Sequence, residues 1–177
     1  GSVSVERMTE IVSELSRRLR ENPNLPREVK TLTADELIAR ARKTKGEERY
    51  RLIKRALREE PDNITAACME IEYLAKNADD RVHHYEDLTR RATARLMEQG
   101  LFSEENIGKF WSMPSTKPYM FLRLSYLEAL LAARKLRLAA KECEEMLRLS
   151  EHDALGRRYQ LMFIYAAIEE GDAAIKL

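Results

Sequence analysis

His83, His84, Glu86 and Asp87 are the residues of this chain whose types and spacing come nearest to metal chemistry. On a helix His83 and Asp87 share a face at i,i+4, and an imidazole with a carboxylate can hold a divalent ion. A site needs a third and a fourth ligand, and His84 projects about 100° around the helix from His83. The cluster therefore reads as a solvated polar face, and neither a metal nor a cofactor is expected. Nucleophilic chemistry has less to stand on, because the sequence lacks GxSxG, a P-loop, HExxH and any glycine-rich cradle. With three histidines in all, acid–base work would fall to carboxylates whose pairing the sequence does not reveal. The chain reads as a non-enzyme.

Phosphate binding is the next chemistry to weigh. "RRATAR" (90–95), Arg123, "RKLR" (134–137) and Arg157-Arg158 are scattered basic points that could align along one helical groove. Glu86, Asp87, Glu128, Glu142, Glu144 and Glu145 lie among them, which suits an ordinary mixed-charge surface. Over the whole chain 31 basic residues meet 30 acidic ones, so the long-range field is weak and nucleic acid is not the expected partner. An arginine-based nucleic-acid-associated or regulatory module stays as the alternative. Cys68 and Cys143 sit in apolar helical pattern without CxxC spacing, so they read as small core residues in a reducing, cytoplasmic setting.

The elements that must position these residues are helices. Gly (6) and Pro (5) are scarce in 177 residues while Ala, Leu, Glu and Arg dominate, which predicts an all-α chain. Val5, Met8, Val12, Leu15 and Leu19, widened by Ile11, mark an amphipathic helix over about 4–20. It is taken as a segment of its own, 1–21, followed by a proline-bearing connector, 22–33, and a helical body, 34–177. Its seam is narrow enough to meet another helix, on its own body or in a second subunit. Thr33 and Glu36 have capping-box spacing and start a helix to about 43. Further helices are expected up to Pro61, over the face of Ala67, Ile71 and Leu74, over about 80–98 with Gly100 as a left-handed terminus, and on both sides of a tight turn at Lys135. The last begins near Ala154 and reaches Gly171. No apolar stretch approaches the ~20 residues that span a bilayer, and the start has no signal-like core. Gly1-Ser2 has the look of a cloning remnant, and "GDAAIKL" starts a helical pattern and stops, as in a piece of a longer protein.

"FWSMPSTKPYMFLRLSYLEALLAA" (110–133) holds the single tryptophan against a helix start. Ser103 is placed to cap the turn before it, Thr116 to cap the helix, and Pro118 falls in the first turn, where its missing N–H costs nothing. Phe110 and Trp111 could stack a ligand, but buried aromatics at an elbow more often supply area, about 150–250 Å² each. A packed elbow is the reading.

"IKRALREEPDN" (53–63) and "CEEMLRLSEHD" (143–153) each end an amphipathic helix in a polar turn that leads directly into another helix. This resembles the second helix of a tetratricopeptide repeat, two antiparallel helices in about 34 residues. Ile53, Ala56, Leu57 and Pro61 fit its apolar, small, leucine and proline positions; Ala139, Cys143 and Leu147 fit the second copy, where Met146 and Glu151 depart. In the preceding helix Leu130 fits, whereas Arg123 and Leu127 stand at positions usually held by tryptophan or leucine and by a small residue. The segments start 90 residues apart, so the array is irregular and the stretch around 80–111 is an insertion or a degenerate unit. The "FW" run before the Thr-Lys-Pro-Tyr helix start also resembles bacterial members of the group. The resemblance implies an α-solenoid of antiparallel hairpins whose concave groove holds a peptide or protein segment. Register carried from the turns assigns Cys68, Glu72, Leu124, Glu128, Arg158 and Met162 to that groove.

Overall fold

The computed structural model describes residues 7, 9, 10, 12–14, 16, 17, 32–151 and 156–175. The chain divides into two units, Gly1–Leu32 and Thr33–Leu177. The described residues between 7 and 17 are helical, and Arg17 and Glu14 form an ion pair of 2.9 Å one turn apart. Of the apolar seam expected there, Val12 is exposed, while Val5, Met8, Ile11, Leu15 and Leu19 lie outside the described residues, as does most of the 22–33 connector.

The second unit is helical: α1 (Ala34–Lys43), α2 (Gly46–Glu59), α3 (Ile64–Leu74), α4 (Ala78–Glu98), α5 (Lys117–Ala132), α6 (Leu136–Leu149) and α7 (Arg157–Ile175). Local chemistry sets the starts. The Thr33 hydroxyl accepts from Glu36 N while the Glu36 carboxylate accepts from Thr33 N, the expected capping box. Asn63 and Asn77 cap α3 and α4 with their side-chain oxygens, which accept from Ala66 N and Asp80 N. At the far end of α4, Gly100 takes φ +70°, with Gly100 N bonded to Met97 O and Leu101 N to Leu96 O. The α5–α6 turn repeats this pattern with Arg134 at φ +56°, so a β-carbon is tolerated where glycine is the relaxed choice. The last helix differs from expectation: it passes through Gly171 to Ile175, and its beginning near Ala154 lies outside the described residues.

Each helix packs on the next along the chain, and α3 also packs on α5. Leu37, Ile38 and Ala41 of α1 are buried, as are Ile53 and Ala56 of α2. A continuous core then runs from Ile71 through Val82, Leu88 and Leu96 of α4 to Leu122, Leu127, Leu130, Cys143 and Ile164. Among the described residues there is no strand, only an isolated antiparallel bridge between Lys109 and Ser150. Its bonds, Phe110 N to Leu149 O (3.1 Å) and Glu151 N to Gly108 O (2.9 Å), pin the long α4–α5 loop to the end of α6. Gly108 sits there at φ +90°, where a β-carbon would stand 2.8 Å from Glu151 Cγ. The turn at Ser103 is closed by its carbonyl, which accepts from Asn106 N and Ile107 N. Thr116 occupies the N-cap position but does not cap with its side chain; its hydroxyl donates 2.7 Å to the carbonyl of buried Phe110, a group with a stronger need for a partner.

Candidate functional site

The six groove residues lie on three alternate helices. On α3, Cys68 is half-buried and Glu72 exposed. Burial, helped by the Glu72 charge, pushes the Cys68 thiol up to about 12, so it stays protonated and unreactive near neutrality. Glu72 accepts a 2.6 Å bond from Arg49 of α2, which raises the Arg49 pKa. Beside it Tyr73 stacks on Tyr50 with centroids 4.8 Å apart. On α5, Leu124 is half-buried and Glu128 exposed. Together with Phe121, which is 52% exposed, they form the outward stripe of a helix buried over most of its circumference. Tyr85 of α4 reaches this neighbourhood, with burial pushing its hydroxyl up to about 12 against the lowering effect of a hydrogen bond to Ser125. Direct packing of α3 on α5 places these two pairs on neighbouring elements. Arg158 and Met162 are exposed on α7, which packs on α6.

The elbow at 110–111 divides between core and surface. Phe110 is fully buried, edge-on to Phe102 at 5.0 Å and to Tyr119 at 6.2 Å. Trp111 is only half-buried and meets Phe121 edge-on at 5.0 Å, so the indole extends the apolar surface of the α5 stripe.

Most of the charged groups that suggested metal or phosphate chemistry are engaged with one another. Asp87 accepts bonds from Arg90 (2.6 Å) and Arg91 (2.9 Å), which hold its carboxyl below the usual carboxylate range. His84 lies 3.7 Å from Asp80, and among the described residues no group of three or more His, Cys, Asp and Glu is placed to hold a metal ion. Arg95 pairs with Asp62, Lys135 with Asp79, Arg137 with Asp172 and Arg148 with Glu145. A cleft of about 550 Å³ opens between the α2–α3 turn and the ends of α4 and α5, lined in part by Glu60, Asp62, Ile64, Arg95 and Pro118. None of the six groove residues lines it. Among the described residues, no helix is long and apolar enough to cross a membrane.

The most specific polar constellation was not anticipated from sequence. Arg123, buried in α5, donates from Nε and Nη2 to the two oxygens of buried Glu142 in α6, at 2.6 and 2.8 Å. Its Nη1 donates 2.7 Å to the Tyr119 hydroxyl, which lies 2.6 Å from Thr93 Oγ1 of α4, and Thr93 in turn donates to Thr89 O. Burial alone would lower the Arg123 pKa, but the hydrogen bonds and charge of Glu142 outweigh it and hold the guanidinium above its ordinary value. For Tyr119, burial dominates and raises the pKa. This chain of bonds links three helices in one register. The only sequence signal for it was Arg123 standing at an apolar position, nineteen residues before a glutamate on the buried face of the next helix.

Comparison with family models, curated proteins and solved structures returns no match.

Proposed function

We propose that the protein is a non-enzymatic interaction scaffold, a tetratricopeptide-like array that holds a peptide or protein segment along the outward faces of α3 and α5. The observation that carries this reading is the α5 stripe. A helix buried almost all round keeps Phe121 half exposed, continues it through Leu124 to Glu128, and extends it sideways with Trp111. Large apolar side chains held rigidly beside a carboxylate suit a segment that brings one apolar anchor and a basic group. The sequential packing of the helices, with α3 directly on α5, is the neighbour relation a hairpin array requires. Two thiols, one of them kept protonated by burial, fit a reducing cytoplasmic setting.

The test is capture from source-cell lysate on the immobilised chain, with and without nuclease, beside a Phe121→Glu/Leu124→Glu variant. The reading expects a discrete protein that survives nuclease and is retained about tenfold less by the variant. Retention unchanged by the variant contradicts the groove, and material lost on nuclease treatment transfers the function to the arginines.

A further inference from the structure

Helix α7 carries more exposed apolar surface than its packing explains. Its inner side meets α6 and the core through Ile164, with Leu161 and Ile168 half-buried. On its outer side Tyr159, Met162 and Phe163 are 72, 67 and 76% exposed, and Ala166 lies exposed one turn beyond Met162. Tyr165, at the margin, donates its hydroxyl to Glu144 of α6 and remains exposed. The aromatic and methionine side chains offer about 600 Å² per protomer, against about 800 Å² per partner in a standard interface.

Charge decides what covers this face. Arg158 stands at its beginning and Glu169 and Glu170 at its end, all exposed. Arg158 and Glu169 are eleven residues apart, close to three helical turns, so both lie on the outer side about 16 Å from each other. The apolar residues fall between them. A surface with a cation at one end, an anion at the other and apolar groups between is complementary to itself when inverted.

We propose that the outer face of α7 is a homodimer interface, in which two copies of the helix pack antiparallel about a two-fold axis level with residue 164. Arg158 of one protomer then faces Glu169 and Glu170 of its partner, twice by symmetry. Met162 lies opposite the small Ala166, and Phe163 opposite the partner's Phe163 beside the axis. Parallel packing is disfavoured because it puts Arg158 against Arg158 and the glutamates against each other. The inference is independent of the segment-holding role of α3 and α5: either can fail without the other.

Sedimentation velocity on the full chain tests it, from low micromolar to about 0.5 mM, with circular dichroism melts to verify that each variant is folded. The wild type is expected to reach the mass of two chains, and Met162→Arg to weaken association about a hundredfold. Arg158→Glu alone, and Glu169→Lys/Glu170→Lys alone, should each weaken it about tenfold. An equal mixture of these two variants should restore the dimer, because each supplies the charges its partner now needs. A wild type that stays a single chain over the whole range overturns the proposal. So does a dimer indifferent to Met162→Arg, or a mixture that associates no better than either variant alone.

Discussion

Helices α5 and α7 spend their residues in opposite ways. Buried α5 keeps an arginine inside, satisfied by Glu142 and Tyr119, while peripheral α7 leaves a tyrosine, a methionine and a phenylalanine outside. A rule that sorts residues by polarity would exchange them. In α5 the buried charge pair trades solvation for geometry: a bidentate bond holds only in one register of α5 on α6, and the Tyr119–Thr93 link extends that register to α4. In α7 the apolar groups contribute little to the fold of the single chain and are therefore at the disposal of a partner. The difference teaches that the positions violating the local pattern are where this molecule is most specific.

The comparison breaks if the two regions respond alike to substitution. Glu142→Ala leaves buried Arg123 without its bidentate partner, with only Glu145 at 3.8 Å as counter-charge, and should cost about 3 kcal/mol in urea unfolding, whereas Arg123→Met/Glu142→Leu should recover most of that loss. A single variant that costs less than 1 kcal/mol would remove the buried pair from the account. Gly108→Ala, at the bridge that ties the start of α5 to the end of α6, should cost about 1–2 kcal/mol from its left-handed φ and the approach to Glu151 Cγ. Wild-type stability there would mean the bridge yields freely.

Alkali tests the α3–α4 contact. The Cys68 thiol and the Tyr85 hydroxyl are both pushed up to about 12, chiefly by burial, so the folded chain keeps protons that the unfolded chain releases above about pH 9. Their contribution is complete below about pH 8 and is lost as pH rises toward 12, with Cys68 accounting for about 1–2 kcal/mol by pH 10. Cys68→Ala should flatten the first part of that decline; an unchanged pH profile would show that burial does not hold the thiol. Smallest of all, Phe163→Ser in α7 should alter monomer stability by no more than about 0.5 kcal/mol at concentrations where association is absent. A loss comparable to that of Glu142→Ala would place Phe163 in the core and erase the contrast.

Helix positions were legible because their signals are local. The Thr33–Glu36 box, the turn at Pro61 and the Gly100 terminus act within a few residues, and each boundary falls where they indicate. Gly171 misled because a glycine late in a helix ends it only if the backbone takes a left-handed turn there, and α7 continues. Thr116 misled for a tertiary reason, since the Phe110 carbonyl claims its hydroxyl. Arg123 could be read as a misfit in its repeat position, yet its partner is on another helix, and a single sequence holds no register between helices. Leu124 and Glu128 were singled out by the repeat register carried from the turns, and they lie half-buried and exposed; the aromatic extension through Trp111 and Phe121 depended on how the 99–116 loop is pinned, which sequence does not supply.

The central claim is that the outward stripe of α5 is where the protein holds its partner. A photoreactive amino acid installed at Leu124 and, as a control, at exposed Met97 of α4 tests it directly in source-cell lysate. The account predicts one discrete nuclease-resistant protein adduct from position 124 and none from 97. Equal labelling at both positions, or none at 124, would contradict it.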